Sequence, residues 1–155
     1  MKYRRLGTSG LQVSVVGVGC NNFGRACDAA QTARVVHAAL DQGVTFFDTA
    51  EIYGETRSEE FLGLALEGRR DRAVIATKVG WRVGPGPNEG GASRRRILQA
   101  IEGSLRRLRT DYVDLYQLHQ WDPDTPIEET LAALDTLVRQ GKVRYIGCSN
   151  FAAWQ

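Results

Sequence analysis

Three cysteines are all that the chain contains, Cys20, Cys27 and Cys148, and no two of them have the Cys-x-x-Cys spacing. An odd number without such a pair argues against a disulfide framework and against a zinc site. We therefore expect reduced thiols and no metal site. Cys20 and Cys148 each end an apolar, strand-like run, which could place them near the mouth of a site, although small apolar filler is the favoured interpretation.

Long apolar runs and a strong charge of either sign are also missing. No run of about twenty apolar residues is present, and the segment MKYRRLGTSG lacks the apolar centre of a secretory signal. Twenty basic and eighteen acidic residues leave a net charge of +2, without the basic excess that is typical of nucleic-acid binders. We expect a cytoplasmic protein that binds neither membrane nor nucleic acid.

One pattern repeats along the 155 residues: a short apolar run, a loop and an amphipathic helical stretch. The length fits one domain, residues 1–155. The apolar runs predict strands at 15–19, 44–47, 73–78, 113–118 and 143–148. Helices are predicted at 29–42, 58–67, 93–107 and 127–140, and a β-hairpin is predicted before them, with strands at 3–6 and 11–14.

Several helix ends have their own sequence signals. Ser58 and Ser93 are candidate N-caps, because a serine hydroxyl can accept from the free N–H groups of the first turn. Pro126 suits a first-turn position. Glycines follow three helices in the manner of C-caps, namely Gly43, Gly68 and Gly141.

The spacing between the strands, roughly thirty to forty residues, suits a parallel α/β sheet covered by helices. Two architectures satisfy it, an open doubly wound sheet and a (β/α) barrel. A dinucleotide-binding doubly wound fold needs a Gly-x-Gly-x-x-Gly turn after its first strand. The segment GVGCNNFG has glycines at 17, 19 and 24, which misses that spacing, so the barrel is favoured.

Polar side chains stand at the ends of three successive predicted strands. Asp48 follows Phe46 on one face, Lys78 shares a face with Ala76, and His119 follows the fourth strand. In a (β/α) barrel the C-terminal strand ends and the loops after them build the active site. Each residue alone is more often structural, as a cap, a strand end or a buried histidine. Together they predict a site.

Tyr53, five residues beyond Asp48, completes a set suited to proton donation to a carbonyl oxygen. A tyrosine is a poor acid at neutral pH, but a nearby ammonium such as Lys78 stabilises the phenolate. A buried lysine needs a counter-ion, which Asp48 would provide. His119 would then orient the substrate oxygen by a hydrogen bond.

At these residues the chain closely resembles the aldo-keto reductase family. The resemblance covers nearly the whole chain, in the stretches YRRLGTSGLQVSVVGVG, GVTFFDTAEIYGETRSEEFLGLAL, VIATKVG, DYVDLYQLHQWDP, TPIEETLAALDTLVRQGKVRYIG and SNF. It implies a (β/α)8 TIM barrel that binds NADPH, less often NADH, and reduces aldehydes and ketones by hydride transfer. It implies that Asp48, Tyr53, Lys78 and His119 form the catalytic tetrad, with tyrosine as general acid.

The resemblance also assigns residues around the tetrad. Ser149 and Asn150 would hydrogen-bond the nicotinamide carboxamide, and the loop that begins at Cys20 and Asn21 would pass near nicotinamide and substrate. The Gly/Pro-rich loop 80–91 would be a mobile substrate lid, although a plain surface loop is nearly as good an interpretation of its distal part. Trp81 and Trp121 are candidate walls of the substrate pocket.

The chain departs from the family in length. Family members have eight strands and about twice as many residues, so we expect a partial barrel of about five parallel strands plus the hairpin, truncated relative to the family. A fragment or a truncated chain is the favoured explanation. A half-barrel that completes itself by pairing with another copy or with another half remains the alternative, because its unpaired edge strands would favour association.

Two functions from different classes follow from the resemblance. The first is an NADPH-dependent reductase of a small carbonyl substrate, which the intact tetrad favours. The alternative is a non-catalytic binding or regulatory subunit, since the family is also similar to the cytoplasmic β subunits of potassium channels. A third class, a phosphosugar enzyme built from barrel halves, would need a Gly-rich phosphate loop at a late strand, and none is evident.

Overall fold

A computed structural model of the chain describes residues 1–155. Five parallel strands form one sheet in chain order, each paired with the next. A short antiparallel hairpin precedes the sheet. The hairpin strands are β1 (Tyr3–Arg5) and β2 (Gln12–Ser14), and the sheet strands are β3 (Gly17–Gly19), β4 (Phe46–Asp48), β5 (Val74–Val79), β6 (Val113–Leu118) and β7 (Val143–Cys148).

Four helices connect the strands of the sheet and pack against one another in the same order. A doubly wound sheet would reverse its strand order at a switch point, whereas this sheet never does. The arrangement is therefore an arc of a (β/α) barrel, as predicted. The helices are α1 (Ala29–Asp41), α2 (Arg57–Ala65), α3 (Arg94–Leu108) and α4 (Ile127–Arg139).

The core lies between the sheet and the helices. Alternate strand residues point to the helical side and are fully buried there, among them Phe47, Ile75 and Tyr116. The facing helices contribute apolar side chains that are buried as completely: Leu62, Ile97, Ile101, Leu108, Leu134 and Leu137. The other face of the sheet keeps side chains that are partly exposed, such as Asp48 and Gln117. Polar groups can therefore lie on that face.

The strand boundaries differ most from the sequence prediction in the first two strands of the sheet. Val15 and Val16 were expected in the first strand of the sheet, but β3 begins at Gly17 and both valines are exposed. In the next strand the chain enters the ladder only at Phe46, and Asp48 is its last residue. The ends of β3 and β4 are set by where each strand pairs with its neighbours in the sheet. The apolar pattern of the sequence does not specify this pairing.

Ser58 was predicted as an N-cap, and this prediction is wrong. Helix α2 begins at Arg57 after Thr56, and Ser58 is fully buried inside its first turn. Its hydroxyl donates to the carbonyl oxygen of Cys20 at 2.7 Å and lies 2.8 Å from the hydroxyl of Thr49. The Ser58 hydroxyl therefore forms tertiary hydrogen bonds from α2 to the loops after β3 and β4, and it does not cap the helix.

The other predicted helix ends are largely confirmed. Ser93 is the N-cap of α3 and accepts from the backbone N–H of Arg96. The glycines at 43, 68 and 141 follow their helices with φ of 78°, 70° and 74°. Pro126 is one position earlier than predicted, at the N-cap of α4. Asp28, which the sequence prediction overlooked, closes a capping box with Gln31 at the start of α1.

Gly63 lets α2 and α3 approach closely. A Cβ added there would lie 2.5 Å from the carbonyl oxygen of Arg107 and 2.7 Å from the carbonyl carbon of Leu108. We expect Gly63→Ala to lower the free energy of unfolding by about 1–3 kcal/mol, since a clash with backbone is not relieved by a rotamer change. Urea denaturation followed by circular dichroism measures it. The matched control is Gly10→Ala, where no atom lies within 4 Å of the added Cβ. Equal stability of the two variants would contradict this close contact.

Candidate active site

Neighbouring strands bring three of the predicted site residues to one edge of the sheet. Asp48 ends β4 and pairs in register with Ala76, so it lies next to the position of Lys78 on β5. His119 follows β6 directly, and its backbone N–H donates to the carbonyl oxygen of Val79 at 2.8 Å. Because the side chains of a strand alternate, these residues share the face opposite the helices. Tyr53 reaches the same point from the turn after β4.

Lys78 is the centre of this group. Its Nζ donates to Asp48 Oδ2 and to the carbonyl oxygen of Thr49, both at 2.8 Å, and lies 3.5 Å from the hydroxyl oxygen of Tyr53. The residue is 4% exposed, while the side chain of Asp48 is 37% exposed. All three N–H groups of the ammonium therefore have an oxygen to face, which a buried charge requires.

Tyr53 and His119 meet at their polar atoms. The hydroxyl oxygen of Tyr53 lies 3.5 Å from His119 Nε2, and the two rings are nearly perpendicular with centroids 5.5 Å apart. The hydroxyl is thus flanked by an ammonium on one side and an imidazole on the other. An oxygen atom of a ligand next to both Tyr53 and His119 could receive hydrogen bonds from each.

The imidazole of His119 is held in its neutral form. The pKa of His119 is lowered from 6.5 to about 4, chiefly by burial and also by the charge of Lys78, while Asp48 acts in the opposite direction. Nδ1 is buried without a hydrogen-bond partner. The Trp81 ring packs edge-on against the imidazole, with centroids 5.8 Å apart. At neutral pH His119 therefore acts as an uncharged hydrogen-bonding group.

Two residues that the sequence prediction did not assign also support this group. The side-chain amide of Gln117 donates to Asp48 Oδ1 at 3.3 Å, so both carboxylate oxygens of Asp48 are engaged. Because side chains alternate along β6, Gln117 points to the same face as His119. This pattern in the sequence could have identified Gln117 as a site residue. Glu51 forms an ion pair of 2.5 Å with Arg96 of α3, and both side chains are buried. This second pair fastens the turn between Asp48 and Tyr53 to a helix.

Cys20 and Asn21, predicted near a cofactor, differ in exposure. The Cys20 side chain is fully buried, and its thiol contacts the carbonyl oxygen of Val18. Burial raises the pKa of this thiol far above its usual range. Cys20 therefore supports the site through its backbone, whose N–H donates to the carbonyl oxygen of Asp48 at 2.9 Å. Asn21 is exposed and free to contact a ligand.

Ser149 and Asn150 lie next to the histidine. The backbone N–H of Ser149 donates to the carbonyl oxygen of Leu118, continuing the ladder between β6 and β7. The Asn150 amide donates to the carbonyl oxygen of His119 at 2.8 Å and to the Ser149 hydroxyl at 3.2 Å. Asn150 has a left-handed backbone with φ of 57°, which asparagine adopts more readily than most residues.

The two tryptophans proposed as pocket walls lie in different surroundings. Trp81 contacts His119, as described above, whereas Trp121 packs against Phe151 at 5.3 Å and Trp154 at 6.4 Å between ring centroids. Trp121 instead borders a polar cavity of 410 Å³ between loop 80–91 and the loop after β6. Of the two rings, only that of Trp81 contacts the group around Lys78.

Loop 80–91 is closed at its base and bonded internally. Gly91 donates to Gly80 at 2.9 Å across the base, and Val83 donates to Glu89 at 2.8 Å, in both cases through backbone atoms. Asp122 accepts from the backbone N–H of the following residue, Ala92, at 2.7 Å. The loop therefore has a defined shape that holds Trp81 against the imidazole.

No group of three or more histidine, cysteine, aspartate or glutamate side chains is arranged to hold a metal ion. None of the helices combines the length and apolar character that crossing a bilayer requires.

The fold and the arrangement of polar side chains at the strand ends define one class of protein. The chain belongs to the aldo/keto reductase family, whose family model matches residues 15–155. This confirms the family that the sequence motifs predicted.

Individual relatives are similar over nearly all of this chain. A probable voltage-gated potassium channel subunit beta of Arabidopsis thaliana is 42% identical over 159 residues, covering 100% of this chain and 48% of the relative. An uncharacterized oxidoreductase of Bacillus subtilis is 45% identical over 166 residues, covering 99% of this chain and 51% of the relative. The chain thus spans about half the length of the curated relatives it matches.

A solved structure has the same arrangement of strands and helices as this chain. The holo form of an aldo-keto reductase from Bacillus halodurans is 43% identical and superimposes with a TM-score of 0.89. The match covers 97% of this chain and 51% of that structure. The five strands and four helices therefore correspond to about half of a complete barrel.

The neutral state of His119 predicts a pH dependence of stability. The folded state has a pKa of about 4 at this residue, against 6.5 for an unperturbed histidine, so between these values the unfolded chain binds the proton more readily. The stabilisation that comes from the lowered pKa of His119 is complete above pH 6.5, and the free energy of unfolding falls as the pH drops toward 4. Urea denaturation across this range measures it, together with ¹⁵N NMR of the imidazole.

The control for this measurement is His119→Asn, which keeps a polar side chain but removes the titrating group. We expect the difference in free energy of unfolding between the two proteins to change with pH between 6.5 and 4. A difference independent of pH would mean that the imidazole titrates alike in both states.

Proposed function

We propose that this chain carries the proton-transfer half of an NAD(P)H-dependent oxidoreductase that reduces aldehydes or ketones to alcohols. The observation that carries the proposal is the position of the Tyr53 hydroxyl, 3.5 Å from both Lys78 Nζ and His119 Nε2. The oxidoreductase names of several relatives support the same reaction class. Asp48, Tyr53, Lys78 and His119 are the proposed catalytic residues.

Each of these residues has a distinct role in the proposed reaction. The Tyr53 hydroxyl donates a proton to the carbonyl oxygen, and the Lys78 ammonium stabilises the phenolate that remains. Asp48 keeps the ammonium charged and in place by its hydrogen bond to Nζ. His119, neutral because of burial and of the charge of Lys78, hydrogen-bonds the same carbonyl oxygen and orients it.

The chemistry that a nicotinamide cofactor supplies when bound is the hydride that reduces the carbonyl carbon. The groups beside His119 suit a carboxamide, because the Ser149 hydroxyl and the Asn150 side chain offer both donors and acceptors at this edge of the sheet. Exposed Asn21 is a third candidate contact, with the backbone of Cys20 next to it. We propose NADPH as cofactor with NADH as the alternative, in a cytoplasmic protein. The holo form of the Bacillus halodurans relative supports a cofactor.

Self-association is part of this proposal. Strands β3 and β7 each pair on one side only, and exposed apolar side chains lie just before β3, at Val16, and within β7, at Ile146. Unpaired edges of this kind favour association with another chain. A second copy would cover apolar surface that an isolated arc leaves in water.

A regulatory function is the second candidate. Relatives from Arabidopsis thaliana and Oryza sativa are named as probable voltage-gated potassium channel subunits beta, at 42% and 41% identity. Such a role would use the chain as a binding partner without turnover. The hydrogen-bonded set around Lys78 favours the reductase, since an interaction module has no need for a buried lysine between an aspartate and a tyrosine.

Cofactor binding is tested by titrating the chain with NADPH and following its tryptophan fluorescence, with molar mass measured in parallel by light scattering. We expect saturable quenching in a species of defined mass, because Trp81 lies beside the proposed nicotinamide site. Asn150→Ala should weaken binding, whereas Asn88→Ala in loop 80–91 serves as the control. NADH is compared in the same way. Absence of saturation in a homogeneous sample would contradict the cofactor assignment.

The role of Tyr53 is tested by Tyr53→Phe. We expect the reduction of para-nitrobenzaldehyde by NADPH to slow by roughly 100-fold or more, because a positioned general acid contributes about that much. Binding of NADPH should change little. Tyr3→Phe is the matched control, since its hydroxyl contacts only the carbonyl oxygen of Gly43 in the hairpin region. An unchanged rate in Tyr53→Phe would overturn the tetrad.

A further inference from the structure

A cavity of 650 Å³ opens beside Tyr53, on the side of α2. Its size is within the range of small-molecule sites. Two of its lining side chains are cationic and one is anionic. The lining residues are Gly24, Arg25, Ile52, Tyr53, Gly54, Glu55 and Arg57.

An unusual backbone builds one wall of this cavity. Gly54, Glu55 and Thr56 are three consecutive residues with positive φ, at 59°, 57° and 75°. A left-handed conformation is unfavourable for a residue other than glycine, so packing must hold this turn in place. The turn folds the chain back after Tyr53, so that Arg57 Nε donates to the carbonyl oxygen of Gly54 at 2.9 Å. The guanidinium is thereby held beside the backbone that follows Tyr53.

The second wall interlocks with the first. A Cβ on Gly54 would lie 2.6 Å from the carbonyl oxygen of Phe23, and a Cβ on Gly24 would lie 2.4 Å from Cβ of Arg57. The loop after β3 and the turn after Tyr53 therefore touch almost backbone to backbone. This contact brings Arg25 and Arg57, which are distant in sequence, to the same cavity.

The two guanidinium groups are not neutralised there. Arg57 lies 3.5 Å from the Glu55 carboxylate, whose side chain is 91% exposed, and such surface pairs contribute little. Arg25 takes part in no ion pair and in no side-chain hydrogen bond. The cavity therefore has an excess of positive charge and several N–H donors without an acceptor.

We propose that this cavity binds an anionic group of the substrate, and that Arg25 and Arg57 select carbonyl compounds that carry a carboxylate or a phosphate. The proposal rests on the proposed function, in which Tyr53 is the proton donor. Guanidinium groups bind both kinds of anion through charge-assisted hydrogen bonds. The substrate would then be held at two points, its carbonyl oxygen at Tyr53 and its anionic group at the arginines.

Binding is tested on the whole chain by ¹H–¹⁵N NMR titration with three probes of one skeleton. The probes are para-formylbenzoate, para-formylphenyl phosphate and the neutral methyl ester of para-formylbenzoate. We expect saturable shifts at residues 24–25 and 53–57 with one or both anions, and at least tenfold weaker binding of the ester. Whichever anion binds more tightly identifies the substrate class, while equal binding of all three probes would overturn the proposal.

The variant that tests the residues is Arg25→Gln combined with Arg57→Gln. We expect its Kd for the anionic probe to rise about tenfold or more, which corresponds to about 1.4 kcal/mol. Arg95→Gln is the control, because Arg95 is an exposed arginine of α3 outside the cavity. An equal loss of affinity in the control and in either single variant would mean a general effect of net charge, and would overturn the assignment.

A turnover assay separates this proposal from the function on which it rests. With NADPH present, the ratio of kcat/KM for the anionic aldehyde to that for the ester should fall about tenfold in the double variant. Reduction of both aldehydes with an unchanged ratio would keep the reductase function and overturn the anion site. Saturable anion binding at the arginines without reduction of any probe would keep the binding site and overturn the reductase function.

Discussion

The ion pair between the buried Lys78 and the partly exposed Asp48 is the interaction on which the candidate site depends. An ammonium that is 4% exposed is stable only with acceptors in reach, and both of the 2.8 Å acceptors of Lys78 belong to Asp48 and Thr49. These residues lie at the end of the neighbouring strand, so the pair requires the observed register of β4 and β5. A slip of one residue would turn Lys78 toward the apolar helical side. The register that pairs β4 with β5 is therefore the same register that the candidate site requires.

The same ammonium contacts one of the other polar groups of the candidate site and influences the pKa of the second. It lies 3.5 Å from the hydroxyl of Tyr53, and it contributes, after burial, to the lowered pKa of His119. One charge thus lies beside a phenolic hydroxyl and also favours the uncharged form of the imidazole. The second buried pair, Glu51 with Arg96, lies behind the turn that carries Tyr53. Burial raises the pKa of Glu51, which Arg96 opposes. Together the two pairs fasten both ends of this turn, one to a strand and one to a helix.

Much of this arrangement could be predicted from the residues. Apolar runs spaced by amphipathic helices indicated a parallel sheet in chain order, and the missing glycine turn favoured the barrel over a doubly wound sheet. Alternation along each strand placed Lys78 and Asp48 on a common face, because a strand repeats every two residues. The same strand-end pattern added His119, Tyr53 completed the set by its chemistry, and the family resemblance then assigned all four residues to a catalytic tetrad. The prediction of a site therefore came from local periodicity combined with the rule that the C-terminal strand ends of a barrel meet.

The remainder depended on contacts between segments that are distant in sequence. Ser58 has the local pattern of a cap, yet the loop after β3 takes its hydroxyl. Gln117 was on the correct face, but only strand pairing brings its amide to Asp48. Arg25 and Arg57 meet because two loops touch at glycines, which no periodicity encodes. The sequence by itself determined the order of strands and helices and the faces of their side chains, since both follow from local geometry. Only the tertiary structure decided which polar groups are paired, buried or left facing a cavity, because those energies arise when the loops pack together.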